Sequence, residues 1–115
     1  MKENILEMKS KEFALKIIEL VENIHDNNKI ISNQILRSGT SIGENISESV
    51  FASSKADFIN KLQIAQKEAN ETKYWLYLLK ESKKIEEKVY YVLMNDLDTI
   101  IKINSSSILT TKKSL

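Results

Sequence analysis

Apolar side chains recur along this chain at intervals of three and four, and four helices follow from that period. Phe13, Ala14, Ile17, Ile18, Val21 and Ile24 predict a first helix from about Lys11 to Asp26, with Ser10 as N-cap and Asp26-Asn27-Asn28 as its stop. A short Ile5-Leu6-Met8 element precedes it and is expected to fold back as a lid. Ile35, Ile42, Ile46 and Val50 predict a second helix over Ile30 to Val50. Ser54 and Asp57 form a capping pattern ahead of a third. Its seam is Phe58, Leu62, Ala65, Ala69, Thr72, Leu76 and Leu79. Val89, Leu93, Leu97, Ile100 and Ile101 predict a fourth from about Glu86 to Asn104.

Short polar connections make consecutive helices antiparallel neighbours. The fold class expected is all-α, a left-handed up-down-up-down four-helix bundle. Its organisation is a 1–10 N-terminal extension, an 11–104 bundle and a flexible polar tail over 105–115.

The second helix carries two further patterns. Gly39 and Gly43 stand four apart on its packing side. Each weakens a helix by about 1 kcal/mol against alanine. They therefore mark either a close approach of another helix or a kink, and the small residues Ala65 and Ala69 point to the third helix as the close neighbour. Gln34, Arg37, Ser41, Glu44 and Glu48 form a polar stripe beside the apolar one, either a solvated flank or a hydrogen-bond network.

Composition narrows the function classes. The chain has 115 residues, 42% hydrophobic and 29% charged, enough for one core. It has no proline, which fits long helices, and no cysteine, which excludes disulfides, thiolate metal sites and cysteine nucleophiles. No apolar run approaches the roughly 20 residues of a membrane span, and the first ten residues lack a signal-peptide core. A soluble cytoplasmic protein is expected. The net charge of +1 is far from the basic excess typical of nucleic-acid proteins.

Candidate chemistry is sparse. Glu44, Glu48, Glu68 and Glu71 raise the idea of a di-metal carboxylate site, but such bundles need a Glu-x-x-His pair from each of two helices, and the single histidine, His25, can complete only one, with Glu22. His25 has no nucleophile motif either, and Gly39-Thr40-Ser41-Ile42-Gly43 lacks the lysine of a phosphate loop. No catalytic residue, metal, cofactor or small-molecule substrate is expected. Arg37 is the only arginine, which suggests a place where a bidentate fork is needed, with Glu68, Glu71 or Glu44 as partner.

Tyr74, Trp75, Tyr77 and Leu78 cover the angles of the third helix that Leu76 and Leu79 leave open. A helix apolar on all sides is covered on all sides, so these residues are expected to form a homo-oligomer interface. Lys80, Lys83, Lys84 and Lys88, with Lys112 and Lys113, are the nucleic-acid candidates, interrupted by Glu81, Glu86 and Glu87. An oligomer would repeat each weak patch and raise its phosphate affinity.

The stretch Gln34-Ile35-Leu36-Arg37-Ser38-Gly39-Thr40-Ser41-Ile42-Gly43, with Asn45-Ile46 and Glu48, resembles the signature of the four-helix bundle proteins encoded in 23S rRNA intervening sequences. Asp57-Phe58-Ile59, Lys61-Leu62, Ile64-Ala65, Lys67-Glu68-Ala69, Glu71-Thr72 and Tyr74-Trp75-Leu76 with Leu78-Leu79 extend the likeness, which covers about Lys11 to Ile103. The resemblance implies a homopentamer with no established catalytic activity. It also implies a distant relation to accessory proteins of diversity-generating retroelements, basic pentamers that bind nucleic acid and a reverse transcriptase. The family positions Arg37, Asn45, Glu48, Glu68 and Glu71 are then an architectural polar network. Two departures stand out. Glu44, Ser47 and Ser49 replace the alanines common around the family's asparagine, and the charge is near neutral. The functional expectation is a non-enzymatic pentameric scaffold binding RNA or a ribonucleoprotein. The alternative is a protein-interaction module that recruits a separately encoded enzyme such as a reverse transcriptase.

Overall fold

A computed structural model describes residues 3–24 and 29–115. Four helices account for nearly all of them: α1 (Ile5–Asn23), α2 (Ile30–Ser49), α3 (Lys55–Glu81) and α4 (Glu87–Lys113). Each packs on its two neighbours in the cycle α1–α2–α3–α4–α1, and among the described residues the backbones of diagonal helices do not come close. Cross-helix pairs run in opposite directions. Arg37 and Ser38 meet Glu68 to Thr72, whereas Glu48 meets Lys61. Lys73 meets Asp98, whereas Lys55 reaches Ser114. The bundle extends 47 × 23 × 19 Å, close to the roughly 40 Å of a 27-residue helix plus its ends.

The start of α1 and the end of α4 differ from the periodicity reading, whereas α4 begins at Glu87 as expected. α1 begins at Ile5, not Lys11. The Asn4 side chain accepts from the Glu7 amide and the Glu7 carboxylate accepts from the Asn4 amide, a reciprocal capping box. Ser10 is therefore not a cap. It is buried mid-helix, donating to the Glu7 carbonyl, and Leu6 belongs to the core rather than to a lid. His25 and Asp26-Asn27-Asn28 lie outside the described residues. α3 starts as expected, with Ser54 Oγ accepting from the Asp57 amide. α4 passes through Ser105–Ser107 to Lys113 instead of giving way to a tail at Asn104. Ser107 and Thr111 donate to carbonyls one turn back, which keeps their hydroxyls within the helix. The partly buried Ile108 packs on the core, so α4 stays paired with α3 over its length.

The core contains Phe13 and Ile17 of α1, Ile35, Ile42 and Ile46 of α2, Leu62, Ala65, Ala69, Leu76 and Leu79 of α3, and Leu93, Leu97 and Ile100 of α4. Periodicity had placed nearly all of these inward. It also placed Ile18 inward, yet Ile18 is exposed, and it did not pick out Tyr90 or Asn104, both buried.

The glycines mark a close approach, and the helix that comes close is α1 rather than α3. A Cβ on Gly39 would stand 3.0 Å from Cγ1 and Cγ2 of Ile17, and one on Gly43 would stand 3.3 Å from the backbone oxygen of Ser10. Neither glycine has a positive φ, and α2 is continuous through both. The α2–α3 contact is polar at its centre. The Thr72 hydroxyl bridges to Ser38 Oγ at 2.9 Å, fully buried, and also donates within its helix to Glu68 O at 2.8 Å.

Candidate interaction surface

Three features near the α2–α3 and α3–α4 seams contain most of the residues singled out by sequence. The first is the Arg37 fork. One guanidinium nitrogen lies 3.1 Å from Glu68 Oε2, another bonds Glu71, and Nε lies 3.5 Å from Gln34 Oε1. Arg37 thus spans two carboxylates one turn apart on α3, a geometry that a lysine's point charge cannot reproduce. Asn45 and Glu48 stand apart from it. Asn45 donates to the Ser41 carbonyl of its own helix at 2.8 Å, and Glu48 lies 3.8 Å from Lys61. Glu44 is exposed. Among the described residues no group of three or more His, Cys, Asp or Glu is placed to hold a metal ion.

The Arg37 side chain is 47% exposed, so solvent screening holds its contribution to the surface range. Arg37→Lys is expected to cost about 0.5–1 kcal/mol, read as a lower urea midpoint. The loss should shrink as salt is raised. An unchanged midpoint at low salt would show the fork to be energetically idle.

The second feature is the aromatic end of α3. Tyr74 is 57% exposed and packs edge-on against Trp75, ring centroids 5.0 Å apart at 68°. Trp75 and Leu78 are half-buried. Trp75 Nε1 is buried, and no acceptor among the described residues reaches it. Tyr77 does not join them. It turns toward α4 and stands with Lys80, Tyr90 and Tyr91.

That grouping is the third feature, and sequence spacing did not reveal it because Tyr90 and Tyr91 belong to the next helix. The Lys80 ammonium lies 5.4 Å from the ring centre of Tyr77, 4.5 Å from that of Tyr90 and 5.7 Å from that of Tyr91, all within cation–π range. Beside it the chain turns through a Schellman motif, in which the Lys84 amide reaches the Leu79 carbonyl and the Lys83 amide the Lys80 carbonyl. Lys83 takes φ 60°, the left-handed position that glycine usually fills. Lys83, Lys84 and Lys88 are exposed, interleaved with exposed Glu81, Glu86 and Glu87.

Taken together, fold and surface define a small four-helix bundle whose distinctive side chains sit on its outside and at one end. The sequence places it among relatives. The family described as 23S rRNA-intervening sequence protein matches residues 2–106, and the chain belongs to that family. It is similar to a crystal structure of a protein of unknown function from the S23 ribosomal protein family of Bacteroides thetaiotaomicron VPI-5482. The two are 49% identical, with a TM-score of 0.86, over 90% of this chain and 98% of that one. No curated protein matches the chain. Among the described residues no helix is long and apolar enough to cross a membrane.

Proposed function

We propose that the protein is a non-enzymatic cytoplasmic scaffold that assembles as a homopentamer and binds RNA through lysines repeated around the ring. The observation that carries the assembly is the aromatic end of α3. Tyr74 stands in water on a Trp75 whose indole N–H is sealed without an acceptor among the described residues. Burying a polar group unpaired costs about 1–3 kcal/mol. A second copy covering Tyr74 would take that exposed ring, and the rim of Trp75 beside it, out of water. Tyr74, Trp75 and Leu78 are the contact, with Tyr77 at its border. Interfaces favour Tyr and Trp for the large rigid area they bury.

RNA is the partner that the family name and the lysine-bearing end both favour. A +1 chain has little phosphate affinity alone, and a ring multiplies it.

Native mass spectrometry and an RNA titration across a salt series test the two parts. The expected mass is five times the 13.2 kDa of the chain, falling to smaller species in Tyr74→Ser/Trp75→Ala. Affinity should fall with salt by about 0.7 log units per log unit of salt for each phosphate neutralised on a single strand. A monomeric wild-type mass, or a double variant of unchanged mass, would overturn the interface. No binding at low salt would overturn the RNA role in favour of a protein partner.

A further inference from the structure

The α3–α4 corner holds a combination that neither the bundle nor the proposed interface requires. Tyr77 and Tyr91 are 47% and 59% exposed, on two different helices, yet both border one ammonium group, that of Lys80. Tyr90 beneath them is 9% exposed and packs edge-on against Tyr91, centroids 5.1 Å apart at 77°. Tyr91 is therefore mounted on a buried ring, and Tyr77 reaches the group through the Lys80 ammonium that both rings border. Among the described residues no carboxylate pairs with Lys80. The next turn keeps Lys83 in a left-handed conformation. Glycine there would relieve roughly 1 kcal/mol of strain, so the lysine stands there against backbone preference. Non-glycine residues held in such conformations cluster at functional positions.

We propose that Tyr77, Tyr91 and Lys80 form a stacking platform for unpaired bases of single-stranded RNA, with Lys83, Lys84 and Lys88 following the phosphates. This rests on the RNA reading above and names the form of RNA taken. Every base has a flat π face, and a duplex hides those faces inside its stack while a single strand offers them. Tyrosine rings accept that face, and a neighbouring cation strengthens the contact. The corner has lysines and no arginine, hence no fork to read base edges, so the platform is tolerant of sequence. The interleaved Glu81, Glu86 and Glu87 offset much of the local charge. Stacking rather than charge then supplies most of the affinity, and the salt dependence per protomer is shallow.

The test is fluorescence polarisation with the full-length protein and two labelled probes, a 12-nucleotide oligouridine RNA and an RNA hairpin duplex of equal phosphate count. Wild type should prefer the single strand. Tyr91→Ala should weaken oligouridine binding about tenfold with the salt slope and the native mass unchanged, and Tyr77→Ala should weaken it as much with the salt slope unchanged. Tyr91→Phe, which keeps the ring, should bind like wild type. Lys83→Gly should melt at a higher temperature yet lose about one phosphate contact from the slope, an outcome that a merely structural lysine would not give. If wild type binds oligouridine but ring removal leaves its affinity unchanged, or the duplex binds equally well, the stacking platform is wrong and the RNA reading stands. If wild type binds neither probe while an acidic peptide binds, both fall together.

Discussion

Gly39→Val should lower stability by about 3 kcal/mol. The reason is one wall. A Cβ at that position already stands 3.0 Å from both Cγ atoms of Ile17, which is fully buried, so its side chain has no solvent side to turn toward. Valine adds two methyl groups to that contact. Gly39→Ala is a smaller case, in which about 1 kcal/mol of recovered helix propensity opposes the clash. At Gly43 the facing atom is a backbone oxygen, that of Ser10, which can yield only if α1 itself moves. The diagnostic is a double variant. Ile17→Ala alone opens a cavity, but with Gly39→Val the new methyls occupy it. The pair should lose at least 1 kcal/mol less than the sum of the singles in urea denaturation at fixed protein concentration. Additive losses would mean that Gly39 and Ile17 do not share the wall.

The same contact shows what a one-dimensional reading captures. Gly39 and Gly43 announced a close approach through their spacing alone, but spacing carries no direction. Ala65 and Ala69 looked like the matching surface, being small and on the adjacent helix. They are instead ordinary core positions, and the surface that comes close belongs to α1, where Ser10 and Ile17 lie. Helix identities and most inward faces were legible because period 3.6 is a local property. Termini were less so. The Asn4–Glu7 box lies ahead of the first long apolar stripe, and Ser10 mimics a cap while serving the core. The Arg37 partners were legible only in part: Glu68 and Glu71, one turn apart on α3, hold it, whereas Glu44, which the sequence left equally open, is exposed. The Lys80 cluster was not, since Tyr77 and Tyr91 come from separate helices and meet only once α3 and α4 are paired.

Asn104→Ala should cost about 2–3 kcal/mol, and Asn104→Leu less than about 1. Asn104 is 1% exposed, on the inner face of α4. Its amide nitrogen donates to the Leu62 carbonyl and to Gln66 Oε1, both at 2.9 Å, so one side chain ties α4 to two successive turns of α3. Its own Oδ1 is buried with no donor among the described residues. Alanine gives up both bonds and leaves a void. Leucine gives up the bonds but fills the space and removes the orphaned oxygen, and Gln66 keeps its bond to Ser105 Oγ. The use of this buried asparagine is in register, because only one offset of α4 along α3 places the amide opposite the Leu62 carbonyl. The leucine variant should therefore unfold close to wild type in urea while its amide NMR spectrum shows added or broadened signals from α4. A sharp single set of signals would assign the register to packing alone, and an Ala variant as stable as wild type would mean that the two bonds contribute nothing net.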